Sequence, residues 1–265
     1  MAMNLELKKF DMSQITDDKV VVLIGKRDTG KSYLCRDILH HHKNIPVGQV
    51  ISGTEGANQF YSKMVPKLFI HDEFKSSIVE NMLKRQKLMI QKINNGDNSV
   101  DPRAFLILDD CLYDNTWAKD KYMRSVFMNG RHYKLLFLLT MQYALGIPPN
   151  LRTNIDYVFI LRENYVSNRK RLYEHYAGMF PTFEMFCQVM DQCTENYECL
   201  VINNNSKSNK LSDQVFWYKA EAKPDFKIGG SSYWEYSEKN YSQEGGDEGN
   251  IMGNIKNPIT VNKLY

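Results

Sequence analysis

Eight residues constrain this chain more than any other stretch. Gly25-Lys26-Arg27-Asp28-Thr29-Gly30-Lys31-Ser32 spells G-x-x-x-x-G-K-S directly after the apolar run Val20-Val21-Val22-Leu23-Ile24. That is the strand, loop and helix setting in which the pattern cradles phosphate. Gly25 and Gly30 let the backbone curl until successive N–H groups point inward, a concavity that side chains would obstruct. Lys31 is then placed to reach the outer phosphates of a polyphosphate chain, and the Ser32 hydroxyl to ligate Mg²⁺. A helix expected from Lys31 to His42 aims the positive end of its dipole at the same anion. The residues from Gly25 through Tyr33 are therefore the expected nucleotide-binding set.

A second element completes the site. Ala104-Phe105-Leu106-Ile107-Leu108-Asp109-Asp110 reads as a buried strand ending in two carboxylates, the form of a Walker B element. Asp109 is the candidate Mg²⁺ ligand beside Ser32, and Asp110 the candidate base that polarises an attacking water. The run Leu135–Thr140 ends in Met141-Gln142, and a glutamine at that strand end can hydrogen-bond a γ-phosphate or the water. Arg131, in Asn129-Gly130-Arg131-His132, is suited to cross a subunit boundary and neutralise transition-state charge, and Arg152 is the competing candidate.

Short apolar runs alternate with helical stretches, which argues for a mostly parallel sheet covered by helices on both faces. Further strands are expected at Gln49–Ser52, Leu68–Ile70 and Tyr157–Leu161, with late edge strands at Cys199–Ile202 and Val215–Tyr218. Helices are expected at Ser76–Asn94, Lys119–Asn129, Ser167–Tyr176 and Phe183–Met190. The first of these carries an apolar stripe of Ile78, Met82, Leu83, Leu88, Met89 and Ile93 beside Lys84, Arg85, Lys87 and Lys92. The expected fold is α/β, a P-loop NTPase three-layer sandwich with a mostly parallel central sheet and an extra strand between the Walker A and Walker B strands. Residues 1–222 form the expected ATPase domain. Residues 223–265 form a glycine-rich tail of little burial capacity, whose Tyr233, Trp234, Tyr236 and Tyr241 are its means of docking.

Composition excludes several classes. A net charge of +3 on 34 basic and 31 acidic residues confines any nucleic-acid site to a local patch. The 5 cysteines are an odd count without a C-x-x-C pair, so they are read as reduced thiols rather than a disulfide framework or a zinc site. No apolar stretch reaches membrane-spanning length, and the expectation is a soluble intracellular protein.

In the order of these elements the chain resembles the FtsK-HerA superfamily of DNA-pumping ATPases, and within it the poxvirus-type genome-packaging ATPases of nucleocytoplasmic large DNA viruses. The resemblance spans Val20 to Glu163 and rests on Gly25–Ser32, Leu106–Asp110, Gly130-Arg131-His132 and Leu139-Thr140-Met141-Gln142. It implies ATP and Mg²⁺ as ligands, with Lys31 and Ser32 on nucleotide and metal, Asp109 on metal, Asp110 on water, Gln142 on the γ-phosphate and Arg131 as the finger. It also implies a homo-oligomeric ring around double-stranded DNA, a capsid or portal-like viral partner, and a place in the viral factory of the host cytoplasm and in the virion. One departure is that bacterial translocases carry glutamate where this chain has Asp110. Two other classes share parts of the pattern: a P-loop nucleoside or nucleotide kinase, for which no arginine-bearing lid is evident, and an assembly protein that binds nucleotide without turnover.

Overall fold

The structure is a computed structural model that describes residues 5–111 and 116–248, the side chains of 242–248 excepted. The strands are β1 (Val20–Ile24), β2 (Gly48–Ser52), β3 (Ile70–His71), β4 (Ala104–Asp109), β5 (Leu135–Met141), β6 (Tyr157–Ile160), β7 (Glu198–Asn203) and β8 (Val215–Lys219). They form one sheet in the order β3-β2-β4-β5-β1-β6-β7-β8. Pairing is parallel from β3 through to β6, then antiparallel for β6 with β7 and for β7 with β8. Spatially, β5 lies between β1 and β4, so the extra strand separates the two Walker strands as the sequence predicts.

Strand residues alternate between two apolar layers, as a two-residue repeat requires when both faces are covered. Val20, Val22 and Ile24 join Leu106, Leu108, Phe137 and Leu139 on one face. The helices Ser76–Asn94, Lys121–Asn129, Val166–Tyr176 and Phe183–Cys193 supply the opposing side chains of that layer, among them Val79, Met82, Val126, Leu172 and Phe186. Val21 and Leu23 face the other way, against Leu34, Ile38 and Leu39 of helix α1 (Lys31–His41).

Three sequence expectations are corrected. Leu68–Ile70 is not a strand: Lys67–Phe69 is a 3₁₀ turn after Pro66, and only Ile70–His71 pairs with β2. The Leu68 N–H is taken by the Ser237 hydroxyl at 3.2 Å rather than by a sheet neighbour. The helix expected from Lys119 breaks at Asp120, whose carboxylate caps Lys121–Asn129 by accepting from the N–H groups of Tyr122 and Met123. On Ser76–Asn94 the buried face is Val79, Met82, Leu83 and Gln86, while Leu88 is exposed. Gln86 is tolerated in the core because its amide nitrogen donates to the carbonyls of Pro102 and Tyr133, each at 2.6 Å.

After residue 222 the contact with the body runs through Tyr233, one of the four aromatic residues named for docking. Ile228 and Tyr233 are buried in the α1 layer, and helix Ser231–Glu248 begins there. The Tyr233 hydroxyl donates to the Gly48 carbonyl at 2.7 Å and its ring stacks on Phe69. Gly249, Ile251 and Gly253 of the expected tail lie outside the described residues.

Candidate active site

Parallel strands bring their C-terminal ends to one edge of the sheet, where an open α/β sheet leaves a crevice. Here the ends of β1, β4 and β5 deliver the phosphate-loop sequence, Asp109-Asp110 and Gln142 to a single cleft of about 1120 Å³. Its walls include Lys26, Arg27, Asp28, Gly30, Lys31, Ser32 and Tyr33 from the loop and α1, and Thr54, Asn58, Phe60, Tyr143, Tyr197 and Lys219 from other elements.

The loop is shaped as its glycines allow. Gly30 has φ +98° and precedes α1 directly, a backbone conformation other residues rarely adopt. A Cβ at Gly25 would come 2.7 Å from Thr29 Oγ1 and 2.8 Å from Leu161 Cβ, so the first glycine is required by close approach. Thr29 Oγ1 donates to the Lys26 carbonyl at 2.7 Å and closes the turn.

Lys31 is only 8% exposed. Its ammonium donates to the carbonyls of Gly25 at 2.6 Å and Lys26 at 3.2 Å and lies 4.0 Å from Asp110 Oδ1. Burial lowers its pKa, and the charges of Asp110 and Asp109 oppose that shift. Asp109 accepts from the Thr140 hydroxyl and from the Ser52 hydroxyl, the latter at 3.4 Å. Burial raises the Asp109 pKa, the Thr140 hydrogen bond counters it, and the neighbouring Asp110 charge adds to it. The buried Tyr61 hydroxyl also faces Asp109 and contacts Cys35 Sγ at 3.3 Å, and burial pushes the Tyr61 pKa well up.

Asp110 sits in a left-handed conformation, φ 50°, just past the strand. Its N–H donates to Thr140 Oγ1 at 3.1 Å and its Oδ2 accepts from the Gln142 amide at 3.2 Å, while its Oδ1 is buried without a hydrogen-bond partner. Thr140 thus ties both carboxylate residues to β5. Sequence reasoning missed it, although β5 pairing with β4 in register Asp109 opposite Thr140 is what places it. Glu163 was missed as well: it holds the Lys26 ammonium at 2.5 Å and accepts from the N–H of Tyr165 and the amide of Asn168. Burial raises the Glu163 pKa, but those donors outweigh it and the net direction is down.

The two arginines lie elsewhere. Arg131 is exposed in the turn Gly130–Tyr133, before β5, whereas Gln142 follows that strand. A strand of 7 residues spans about 23 Å, so Arg131 stands at the opposite edge of the sheet from the cleft. Arg152 packs over the Tyr176 ring at 5.8 Å and is not among the residues lining the cleft.

The far wall of the cleft is carried by the segment after β8. Asp37, fully buried on α1, accepts from the Tyr218 hydroxyl at 2.6 Å and the Glu221 N–H at 2.8 Å, and pairs with Lys223 at 3.3 Å. This locks the Lys219–Ala222 wall to the same helix that presents the phosphate loop.

A buried lysine beneath a glycine loop, opposite two successive carboxylates at the end of β4 in a mostly parallel sheet, is the arrangement of the P-loop NTPase fold. Among solved structures, the genome-packaging NTPase B204 of Sulfolobus turreted icosahedral virus 2, in complex with sulfate, aligns with TM-score 0.54 at 17% identity, covering 79% of this chain and 100% of that one. The same protein in complex with ATP-gammaS gives 0.51 at 17% identity, over 78% and 100%. The pCW3 conjugation coupling protein TcpA gives 0.53 at 14% identity, over 86% and 66%. No protein-family model matches the chain.

Relatives in sequence are viral. Protein L437 of Acanthamoeba polyphaga mimivirus is 40% identical over 245 residues, 91% of this chain and 86% of that protein. Protein 075L of Invertebrate iridescent virus 6 is 42% identical over 228 residues, 84% and 86%. The chain belongs to this family of proteins from nucleocytoplasmic large DNA viruses, the group that its motif order resembles.

Proposed function

We propose that this chain is an ATP-hydrolysing motor that moves double-stranded DNA and packages a viral genome into its capsid. The observation that carries the reading is the convergence of Lys31, Asp109, Asp110 and Gln142 on one cleft, in a family with members in large DNA viruses. B204, whose fold it shares, is a genome-packaging NTPase.

In this reading Gly25 through Tyr33 bind the triphosphate, with the loop N–H groups and the α1 dipole on its oxygens. Ser32 and Asp109 offer hard oxygen donors that fit a magnesium ion, and the unpartnered Oδ1 of Asp110 leaves acceptor capacity in the same space. Magnesium, when bound, supplies charge neutralisation along the phosphates. Asp110 orients and deprotonates a water for in-line attack on the γ-phosphorus, forming the water–phosphorus bond as the bond to the ADP oxygen breaks. Gln142, already donating to Asp110, holds that carboxylate and the water. The Lys31 ammonium moves from the loop carbonyls onto the developing charge.

Arg131 acts on a neighbour. Its edge of the sheet is too far for it to serve its own cleft, which supports action across a boundary in a homo-oligomeric ring. A capsid or portal-like viral protein would dock that ring, in the viral factory and in the virion.

The test is ATP hydrolysis by the purified chain with and without long double-stranded DNA. Turnover stimulated by DNA is expected, with Lys31→Ala reducing it at least about a hundredfold. Full activity in that variant refutes the site; hydrolysis indifferent to DNA refutes the motor.

A further inference from the structure

The turn that enters β7 breaks a local rule. Glu198 N–H donates to the Glu195 carbonyl at 2.8 Å, and the central residues Asn196 and Tyr197 have φ 51° and 65°. Two successive positive φ values inside an i to i+3 hydrogen bond are the signature of a type I′ turn. Asparagine suits its first central position, but the second ordinarily belongs to glycine, because a Cβ there crowds the backbone. This chain spends a tyrosine on it, and the core gains nothing, since Tyr197 is 69% exposed.

The ring lies on the cleft wall. A Cβ built on Gly30 would be 3.5 Å from Tyr197 Cδ1, so the ring stands over the start of α1. In the triphosphate orientation proposed above, Lys31, Asp110 and Gln142 mark the γ end. Tyr197 and the Lys219–Ala222 wall that Asp37 fixes line the same cleft, which leaves them to the sugar and base. Tyr33 is exposed too, but as an ordinary helical residue its placement costs nothing. Tyr143 and Leu145 flank Gln142 at the other end.

We propose that Tyr197 is the stacking platform for the nucleobase, held in the cleft by a turn that accepts backbone strain to aim it. This deepens the ATPase reading and rests on it. An aromatic face offers area at small entropic cost, and a base stacked on it gains affinity that a bare polyphosphate cannot share.

The experiment titrates a non-hydrolysable ATP analogue and inorganic tripolyphosphate into the wild type, Tyr197→Gly and Tyr197→Phe, with thermal unfolding of each. Tyr197→Gly is expected to weaken the ATP analogue about tenfold, leave tripolyphosphate unchanged and keep or raise the melting temperature, because glycine relieves the turn. Tyr197→Phe should bind as the wild type does. Unchanged analogue affinity in Tyr197→Gly, or equal losses for both ligands, overturns the proposal. A wild type that binds both ligands equally well defeats the base platform while leaving the ATPase reading intact. A wild type that binds neither defeats both.

Discussion

Asp109→Asn should make the ligand-free protein more stable while destroying its grip on magnesium nucleotide. Asp109 and Asp110 stand side by side with one nearby ammonium, Lys31, which is 4.0 Å from Asp110. One negative charge is therefore poorly compensated in a largely buried setting, which is why the Asp109 pKa is raised by burial and further by Asp110. An acid whose folded pKa lies above its unfolded value binds more protons when folded, so stability falls as pH climbs from the ordinary carboxylate range through the raised value. Above the ordinary carboxylate range the wild type bears a penalty that asparagine removes while keeping the shape and the acceptor for Thr140. Replacing such a functional charge is worth about 1 kcal/mol, a rise of about 2–4 °C in Tm for a domain this large. The assay is thermal unfolding of both proteins without ligand at pH 7.5 and again at lower pH, toward the ordinary carboxylate range, where the gap should narrow. With magnesium and ATP at a hundredfold excess over Kd, the wild type gains about 2.7 kcal/mol and the variant far less. A variant less stable than the wild type at pH 7.5, or a gap that widens on acidification, would refute the electrostatic account.

Further expectations concern more distant parts. Arg131→Ala should abolish turnover yet leave nucleotide binding intact; mixing it with Lys31→Ala should restore part of the activity, because some interfaces then join an intact arginine to an intact cleft. Failure of the mixture to complement, measured as ATP hydrolysis, would assign the finger to Arg152 or to no arginine. Tyr233→Phe deletes the hydroxyl that donates to Gly48 but keeps the stack on Phe69. It should cost about 1 kcal/mol, read as a Tm drop of a few degrees; no change would mean that the segment is not anchored there.

The phosphate loop, the paired aspartates and the strand carrying Gln142 were all legible because each is written within a few consecutive residues. Strand alternation and both-face burial followed from the same local patterns. What stayed hidden depends on partners far along the chain. Thr140 matters only once β4 and β5 are neighbours, and nothing near Thr140 announces that pairing. Leu68 looked like a strand residue, yet its N–H is claimed by Ser237, some 169 positions later. In the segment after residue 222 the sequence marked Tyr233 as a docking residue but not its slot, made by Gly48 and Phe69. Gln86, polar in a helix stripe, is buried because two carbonyls from other elements wait for its amide.

The two rims of the sheet have a consequence for how copies can associate. At one rim β3 is 2 residues long; at the other the N-terminal segment lies against β8, with Phe10 N–H bonded to the Trp217 carbonyl and Trp217 N–H to the Lys8 carbonyl. Among the described residues, neither rim offers a run of free backbone groups long enough to template another chain. Association between copies is thereby left to side chains and loops, contacts that can loosen and re-form without unzipping a sheet, and the same blunted rims guard against edge-to-edge fusion into fibrils.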